Sequence, residues 1–289
     1  MSGKRKHRVD AMLKLRDLPF GLYEKSICTT WSWEDKFLLV KDAGYDYLEI
    51  AIDATEPKLK RLYDKEEKLA IRRASERCDM PLYTFAFTAN RFFPLGCEDD
   101  AIREKGVSLL NDAIDFASYI GAKTVQIAGY DEYEKPRNKV TEWNFRDSLE
   151  VCVNHAAVRG VIISLETMDS DFLDTTRKAM RYVRDFDSAF LQVGVDPGNI
   201  TAMGNDPIAD FPIGGKHIVE VEFKDTKPGD VRNVFFGEGT VDFDACFKAL
   251  GEIGYQGFMA AEMWANDDPA YHPNIYKAFD FLKTKMEDY

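Results

Sequence analysis

Short apolar runs, rich in branched and aromatic residues, alternate along this chain with longer segments whose apolar residues have helical spacing. The runs recur at intervals of roughly 30 to 40 residues, as expected for repeated βα units. The predicted strands are 21–25, 47–52, 82–88, 124–129, 161–168, 191–195, 218–223 and 258–263. Eight such units predict an α/β fold, a (β/α)8 TIM barrel.

The segments between the predicted strands support one continuous barrel. Four glycines each lie between a helical segment and the next strand, where a left-handed helix cap is expected: Gly44, Gly121, Gly160 and Gly254. No Gly-x-Gly-x-x-Gly loop follows the first strand, which argues against an open dinucleotide-binding sheet. No linker rich in Pro, Gly or Ser divides the chain, so residues 18–289 are predicted to form a single domain after a basic, flexible segment at 1–17.

Carboxylates close four successive apolar runs in the second half of the chain: Glu166, Asp196, Glu222 and Glu262. The carboxyl ends of barrel strands share one mouth, where four acids would repel one another unless a divalent cation lay between them. The pattern therefore predicts a metal site. An all-oxygen ligand set favours Mg²⁺ or Mn²⁺ over Zn²⁺ or Co²⁺.

Two of these acids are the predicted catalytic residues. Glu166 and Glu262 lie on the fifth and eighth predicted strands, on roughly opposite sides of an eight-stranded mouth. Carboxylates placed so can remove a proton beside a carbonyl and return it to the other face, which is an epimerisation. An alternative for Glu222 is an ion pair with Lys224 or Arg232, and an ion-paired structural role is the favoured interpretation of Glu220.

Basic residues in the predicted βα loops are candidates for binding a phosphate. They are Arg91 after the third strand and Lys224, Lys227 and Arg232 around the seventh.

The net charge of −12 opposes binding to nucleic acid. Five scattered cysteines favour reduced, buried thiols, and short apolar runs predict a cytoplasmic protein that neither spans nor binds a membrane.

Several blocks of the chain, from about residue 20 to its end, resemble the L-ribulose-5-phosphate 3-epimerases (L-xylulose-5-phosphate 3-epimerases) of L-ascorbate catabolism, within the xylose isomerase-like barrel superfamily. The blocks are Gly21-Leu-Tyr-Glu-Lys25, Arg91-Phe-Phe-Pro-Leu-Gly96, Gln126-Ile-Ala-Gly-Tyr-Asp131, Asp196-Pro-Gly-Asn199, Lys224-Asp-Thr-Lys-Pro-Gly229, Phe236-Gly-Glu-Gly239, Val241-Asp-Phe243 and Glu262-Met-Trp264. The resemblance implies interconversion of L-ribulose 5-phosphate and L-xylulose 5-phosphate, a divalent metal and a homodimer.

The resemblance also implies which residues form the site. A Glu, Asp, His, Glu metal set is matched at Glu166, Asp196 and Glu262, but Glu222 replaces the histidine. That replacement should tighten hard cations and weaken the Lewis acidity of the metal. Arg91, Asn199, Lys224 and Arg232 are the predicted substrate-binding residues, although the strand-three loop reads Asn90-Arg-Phe-Phe-Pro94 where the family has His-Arg-Arg-Phe-Pro.

Two other functions stay open at this stage. An aldose-ketose isomerase acting on a hexulose or pentulose phosphate would use the same metal and glutamates to move a proton between adjacent carbons. A sugar-phosphate binding protein that lost catalysis when Glu222 replaced histidine would bind without turnover.

Overall fold

Eight parallel strands form a closed barrel in the computed structural model, which describes residues 13–133 and 135–289. The strands are β1 Phe20–Tyr23, β2 Tyr47–Ile52, β3 Phe85–Phe87, β4 Thr124–Ala128, β5 Ile162–Glu166, β6 Leu191–Val195, β7 Ile218–Phe223 and β8 Phe258–Ala261. Each pairs with the next, and β8 closes the ring onto β1. The predicted TIM barrel and the position of every predicted strand are confirmed.

Helices follow the strands and cover the outside of the barrel. They are α1 Trp33–Asp42, α2 Glu56–Tyr63, α3 Lys65–Cys78, α4 Asp100–Ile120, α5 Lys139–Arg159, α6 Thr176–Phe186, α7 Pro197–Ala202, α8 Pro207–Gly214, α9 Phe243–Glu252 and α10 Pro273–Met286. Because helices cover one face of the sheet and side chains fill the other, nearly every strand residue is buried. Within residues 13–133 and 135–289, no helix is both long and apolar enough to cross a bilayer.

Local sequence fixes the ends of these helices. Asn138 accepts N–H bonds at the start of α5 in a capping box with Thr141. Gly121 and Gly160 end α4 and α5 in the left-handed conformation, and the other two predicted caps also have positive φ. All five cysteines are free and buried, as predicted.

The predicted division of the chain at residue 18 stays a prediction. Residues 1–12 of the basic segment lie outside the described residues. Leu15–Asp17 forms a short 3-10 helix, and Leu15 is buried against the core.

Candidate active site

Three of the predicted carboxylates meet at the carboxyl ends of the strands. Glu166 is the last residue of β5, Glu222 lies near the end of β7, and Glu262 directly follows β8. Among the described residues, these three form a buried group in which one oxygen of each carboxylate lies within 4.8 Å of the others. Strands on different sides of a barrel bring such side chains together because their ends surround one mouth.

Asp196, the fourth predicted ligand, is held beside this group by other contacts. It is the N-cap of α7, and its Oδ1 accepts N–H bonds from Gly198 at 2.7 Å and Asn199 at 3.0 Å. Its Oδ2 lies 2.6 Å from Lys224 Nζ. The same ammonium donates to Glu262 Oε2 at 2.9 Å, so Lys224 joins Asp196 to the carboxylate group.

Lys224 is therefore part of the carboxylate centre, which consists of this lysine with Glu166, Asp196, Glu222 and Glu262. Its side chain is buried, and its Nζ lies 5.5 Å from the centroid of the Trp264 ring. Burial alone would lower the pKa of Lys224, but the charges of Asp196 and Glu262 outweigh it and hold that pKa well above its ordinary value. The ammonium stays charged and offsets part of the negative charge around it.

The electrostatics of the three-carboxylate group suit a cation. Burial, followed by repulsion from Glu222 and Glu262, raises the pKa of Glu166 well above its usual range. Burial and the neighbouring Glu49 and Glu262 do the same to the pKa of Glu222. A divalent ion would replace the protons that these acids otherwise retain.

The hydrogen bonds of Glu222 also fit a metal ligand. Gln126 Nε2 donates to Glu222 Oε2 at 2.6 Å, while Oε1 is buried without a hydrogen-bond partner among the described residues. The alternative ion pair with Lys224 or Arg232 does not occur in the described part of the chain, because Lys224 is engaged by Asp196 and Glu262. The residues present thus supply oxygen donors of the kind that Mg²⁺ and Mn²⁺ prefer.

A second pair of acids, Glu49 and Glu220, lies deeper in the barrel, and Glu49 was not predicted from the sequence. Glu49 on β2 accepts a hydrogen bond from Thr84 at 2.5 Å. Glu220 faces Thr124 at 3.5 Å, and burial raises its pKa to about 7. The predicted ion pair of Glu220 is wrong within the described residues, because its neighbours inside the barrel are strand side chains and not loop cations. Inward alternation along β2 was the signal that could have located Glu49.

The remaining predicted site residues lie at different distances from the centre. Asn199 Nδ2 donates to Glu166 Oε1 at 3.3 Å. Arg91 packs its guanidinium 5.8 Å from the centroid of the Tyr130 ring, and its buried Nε has no hydrogen-bond partner among the described residues. Arg232 lies in an exposed loop and lines a cavity with Arg91, whereas Lys227 is exposed in the turn that follows β7.

The family model described as the xylose isomerase-like TIM barrel matches residues 37–285, in agreement with the closed eight-stranded barrel. A D-allulose 3-epimerase from Methylomonas sp. has a TM-score of 0.78 at 18% identity, over 93% of this chain and 98% of that one. An L-ribulose 3-epimerase structure has a TM-score of 0.77 at 18% identity, over 94% and 95% of the two chains. These similarities support the fold.

Curated relatives are much closer in sequence. The L-ribulose-5-phosphate 3-epimerase UlaE of Escherichia coli O1:K1 / APEC is 38% identical over 274 residues, which are 94% of this chain and 96% of that protein. UlaE of Salmonella paratyphi A is 36% identical over 272 residues, with the same coverage. The chain belongs to the L-ribulose-5-phosphate 3-epimerase family. It is accordingly an enzyme of the isomerase class, and the resemblance found in its sequence is confirmed.

Proposed function

We propose that this chain is a metal-dependent 3-epimerase of a ketopentose 5-phosphate, and that it interconverts L-ribulose 5-phosphate and L-xylulose 5-phosphate. The observation that carries the proposal is the convergence of Glu166, Glu222 and Glu262 in a member of this family. Three buried acids whose charges oppose one another are stable as a group only with protons or a cation between them.

The residues that would hold the metal are Glu166, Asp196, Glu222 and Glu262. A bound Mg²⁺ or Mn²⁺ would polarise the C2 carbonyl of the ketose and make the C3 proton more acidic. Gln126 orients Glu222 through its 2.6 Å hydrogen bond, and this fixes the carboxylate that stands in place of the family histidine.

Glu166 and Glu262 are the proposed proton carriers at C3. One removes the proton from one face of C3, and the other returns a proton to the opposite face, which inverts the configuration. Asn199 holds Glu166, and Lys224 holds Glu262.

Solvent deuterium exchange tests this assignment. Proton NMR in deuterium oxide with added Mn²⁺ or Mg²⁺ should show loss of the C3 proton of L-xylulose 5-phosphate and formation of L-ribulose 5-phosphate. Glu166→Gln and Glu262→Gln should each abolish epimerisation, because one of two proton carriers is missing. Glu252→Gln is the matched control, since Glu252 is an exposed residue of α9.

The two variants need a second measurement because the same acids are proposed metal ligands. Binding of Mn²⁺, followed by electron paramagnetic resonance, separates loss of metal from loss of the proton carrier. A variant that keeps Mn²⁺ and exchanges the C3 proton of only one epimer would identify which carboxylate serves which face. A variant that keeps Mn²⁺ and full epimerase activity would contradict the two-carboxylate assignment.

The same spectra separate the competing functions. Deuterium that enters C1 instead of C3 would identify an aldose-ketose isomerase. Binding of the ketose phosphate without exchange, with any metal added, would identify a binding protein that lost catalysis when Glu222 replaced the histidine of the family's ligand set. Sedimentation of the purified protein tests the homodimer, and the cytoplasmic location stays part of the same proposal.

A further inference from the structure

A cavity of about 360 Å³ opens beside the carboxylate centre, at the ends of β1, β2, β3, β7 and β8. Trp264 links the two, because its indole lines the cavity and its ring centroid lies 5.5 Å from Lys224 Nζ. The cavity therefore adjoins the position proposed for C3 of the substrate. In a ketopentose 5-phosphate, C4 and C5 separate C3 from the phosphate ester, so the phosphate must lie in a neighbouring space of this kind.

Three cations surround one buried carboxylate on the wall of this cavity. Glu24 Oε1 accepts hydrogen bonds from Lys36 Nζ at 2.8 Å and Arg61 Nη2 at 2.9 Å. Its Oε2 accepts from Arg61 Nη1 at 2.6 Å and from the Ala51 N–H at 3.0 Å. Lys58 is the third cation, and its Nζ lies 3.9 Å from Glu24 Oε2. The positive charge of this cluster exceeds its negative charge.

Lys58 is the member of the cluster whose donors are not used. Its side chain is 9% exposed, it lines the cavity, and its Nζ has no hydrogen-bond partner within residues 13–133 and 135–289. Burial lowers the pKa of Lys58 to about 8, and repulsion from Arg61 and Lys25 acts in the same direction. Attraction to Glu24 offsets only part of this lowering. A buried ammonium with free donors is stabilised by an anion that accepts from it.

The other charges around the cavity leave this ammonium available. Asp53 accepts hydrogen bonds from Thr55 and lies 3.2 Å from Lys25 Nζ, and Asp267 accepts the Thr29 N–H at 2.7 Å. Both carboxylates are thus engaged by groups other than Lys58.

We propose that Lys58 binds the phosphate group of the sugar phosphate in this cavity, which Lys25 and Arg232 also line. The inference rests on the proposed function and adds a substrate-binding residue that lies on α2. A phosphate offers several strong acceptor oxygens to the Lys58 ammonium and to the other two cations that line the cavity. Specificity for a phosphorylated ketose over a free ketose then comes from this wall of the barrel and not from the carboxylate centre.

The test compares L-ribulose 5-phosphate with unphosphorylated L-ribulose, using deuterium exchange at C3 as a sensitive assay for both. Lys58→Gln should lower kcat/KM for the phosphate ester by about 10- to 100-fold, mainly through KM, since one charge-assisted contact is lost. The rate with L-ribulose should stay unchanged. Lys58→Arg should restore most of the difference, and Lys60→Gln, on the exposed side of α2, is the matched control.

The outcomes separate this proposal from the proposed function. An equal loss of kcat/KM with both sugars would assign Lys58 a structural role in the Glu24 cluster and overturn the proposal. A variant whose preference for the phosphate ester is unchanged would also overturn it. If the wild-type protein turned over neither sugar, calorimetric titration with inorganic phosphate would still decide the matter. Binding weakened about 10-fold or more by Lys58→Gln would support the site, and equal binding by both proteins would overturn it.

Discussion

Replacement of Glu24 by glutamine should destabilise this protein far more than removal of a surface charge. The substitution keeps the size of the side chain and removes its negative charge. It also exchanges one acceptor oxygen for an NH₂ group, which would face Lys36, Arg61 or the Ala51 N–H, all of them donors. An NH₂ group that faces other N–H donors forms no hydrogen bond with them, so both sides stay unsatisfied. The three cations would also lose the counter-ion that they share.

The magnitude follows from burial. The side chain of Glu24 is 1% exposed, and those of Lys36 and Arg61 are 2% and 8% exposed, so solvent cannot replace the lost interactions. Breaking a buried ion pair by removing one partner costs about 3–5 kcal/mol. Glu34→Gln is the control, because Glu34 pairs with Arg77 at 2.9 Å with about half of each side chain exposed. Its expected cost is about 0–1 kcal/mol.

Urea unfolding in the presence of a chelator measures both variants without a contribution from bound metal. Burial would raise the pKa of Glu24, but attraction to Arg61, Lys58 and Lys36 outweighs burial and holds that pKa well below its ordinary value. Its stabilisation is therefore complete above that value and is lost as the pH falls through the depressed pKa. The difference between wild type and Glu24→Gln should persist at pH 7 and shrink in acid. A cost at pH 7 no larger than that of Glu34→Gln would refute the reasoning.

Three further predictions concern the carboxylate centre. Because the pKa values of Glu166 and Glu222 are raised, the metal-free protein should lose stability as the pH rises through these pKa values. Mn²⁺ should therefore raise the Tm more at pH 8 than at pH 5. An equal rise in Tm at the two pH values would contradict this prediction. Glu222→His should shift the ratio of calorimetric affinities from Mg²⁺ towards Zn²⁺, since imidazole is the softer ligand, and an unchanged ratio would exclude Glu222 from the metal shell. Lys224→Met should lower the free energy of unfolding in urea by about 3–5 kcal/mol when a chelator is present, and by less with Mn²⁺, because the metal would offset the negative charges of Asp196 and Glu262. A loss that Mn²⁺ does not reduce would contradict the proposal that Lys224 and the metal share these two carboxylates.

Most of the fold was predictable because barrel strands carry a clear local signal. Strands β2, β6 and β7 begin and end at the predicted residues. The predicted strand at 82–88 is shortened to Phe85–Phe87, since the ladder with its neighbours spans only those residues. Tyr83 still accepts a backbone hydrogen bond from Lys123, and Thr88 donates one to Ile52. Strand ends depend on pairing between distant segments, which apolar periodicity alone does not encode.

The carboxylate centre was partly predictable for the same topological reason. Residues that end successive parallel strands must share a mouth, and this brings Glu166, Glu222 and Glu262 together. Sequence position did not reveal that Lys224 lies between Asp196 and Glu262, because the rotamer of a long side chain is decided by the charges around it. A lysine in a loop therefore looked like a phosphate ligand when its ammonium was already engaged.

The cations around Glu24 illustrate what the sequence could not show. Lys36, Lys58 and Arg61 lie on the short helices α1 and α2, in segments where lysines and arginines are common and mostly solvated. Only the packing of α1 and α2 against the β1 end turns these three inward onto one carboxylate. A chain with a net charge of −12 repels a sugar phosphate at long range, so its recognition has to depend on such a local excess of positive charge beside the mouth. The buried position of Lys58 then has a physical reason. Low solvent exposure strengthens the attraction between its ammonium and a bound phosphate, and the donors of that ammonium stay free until a phosphate binds.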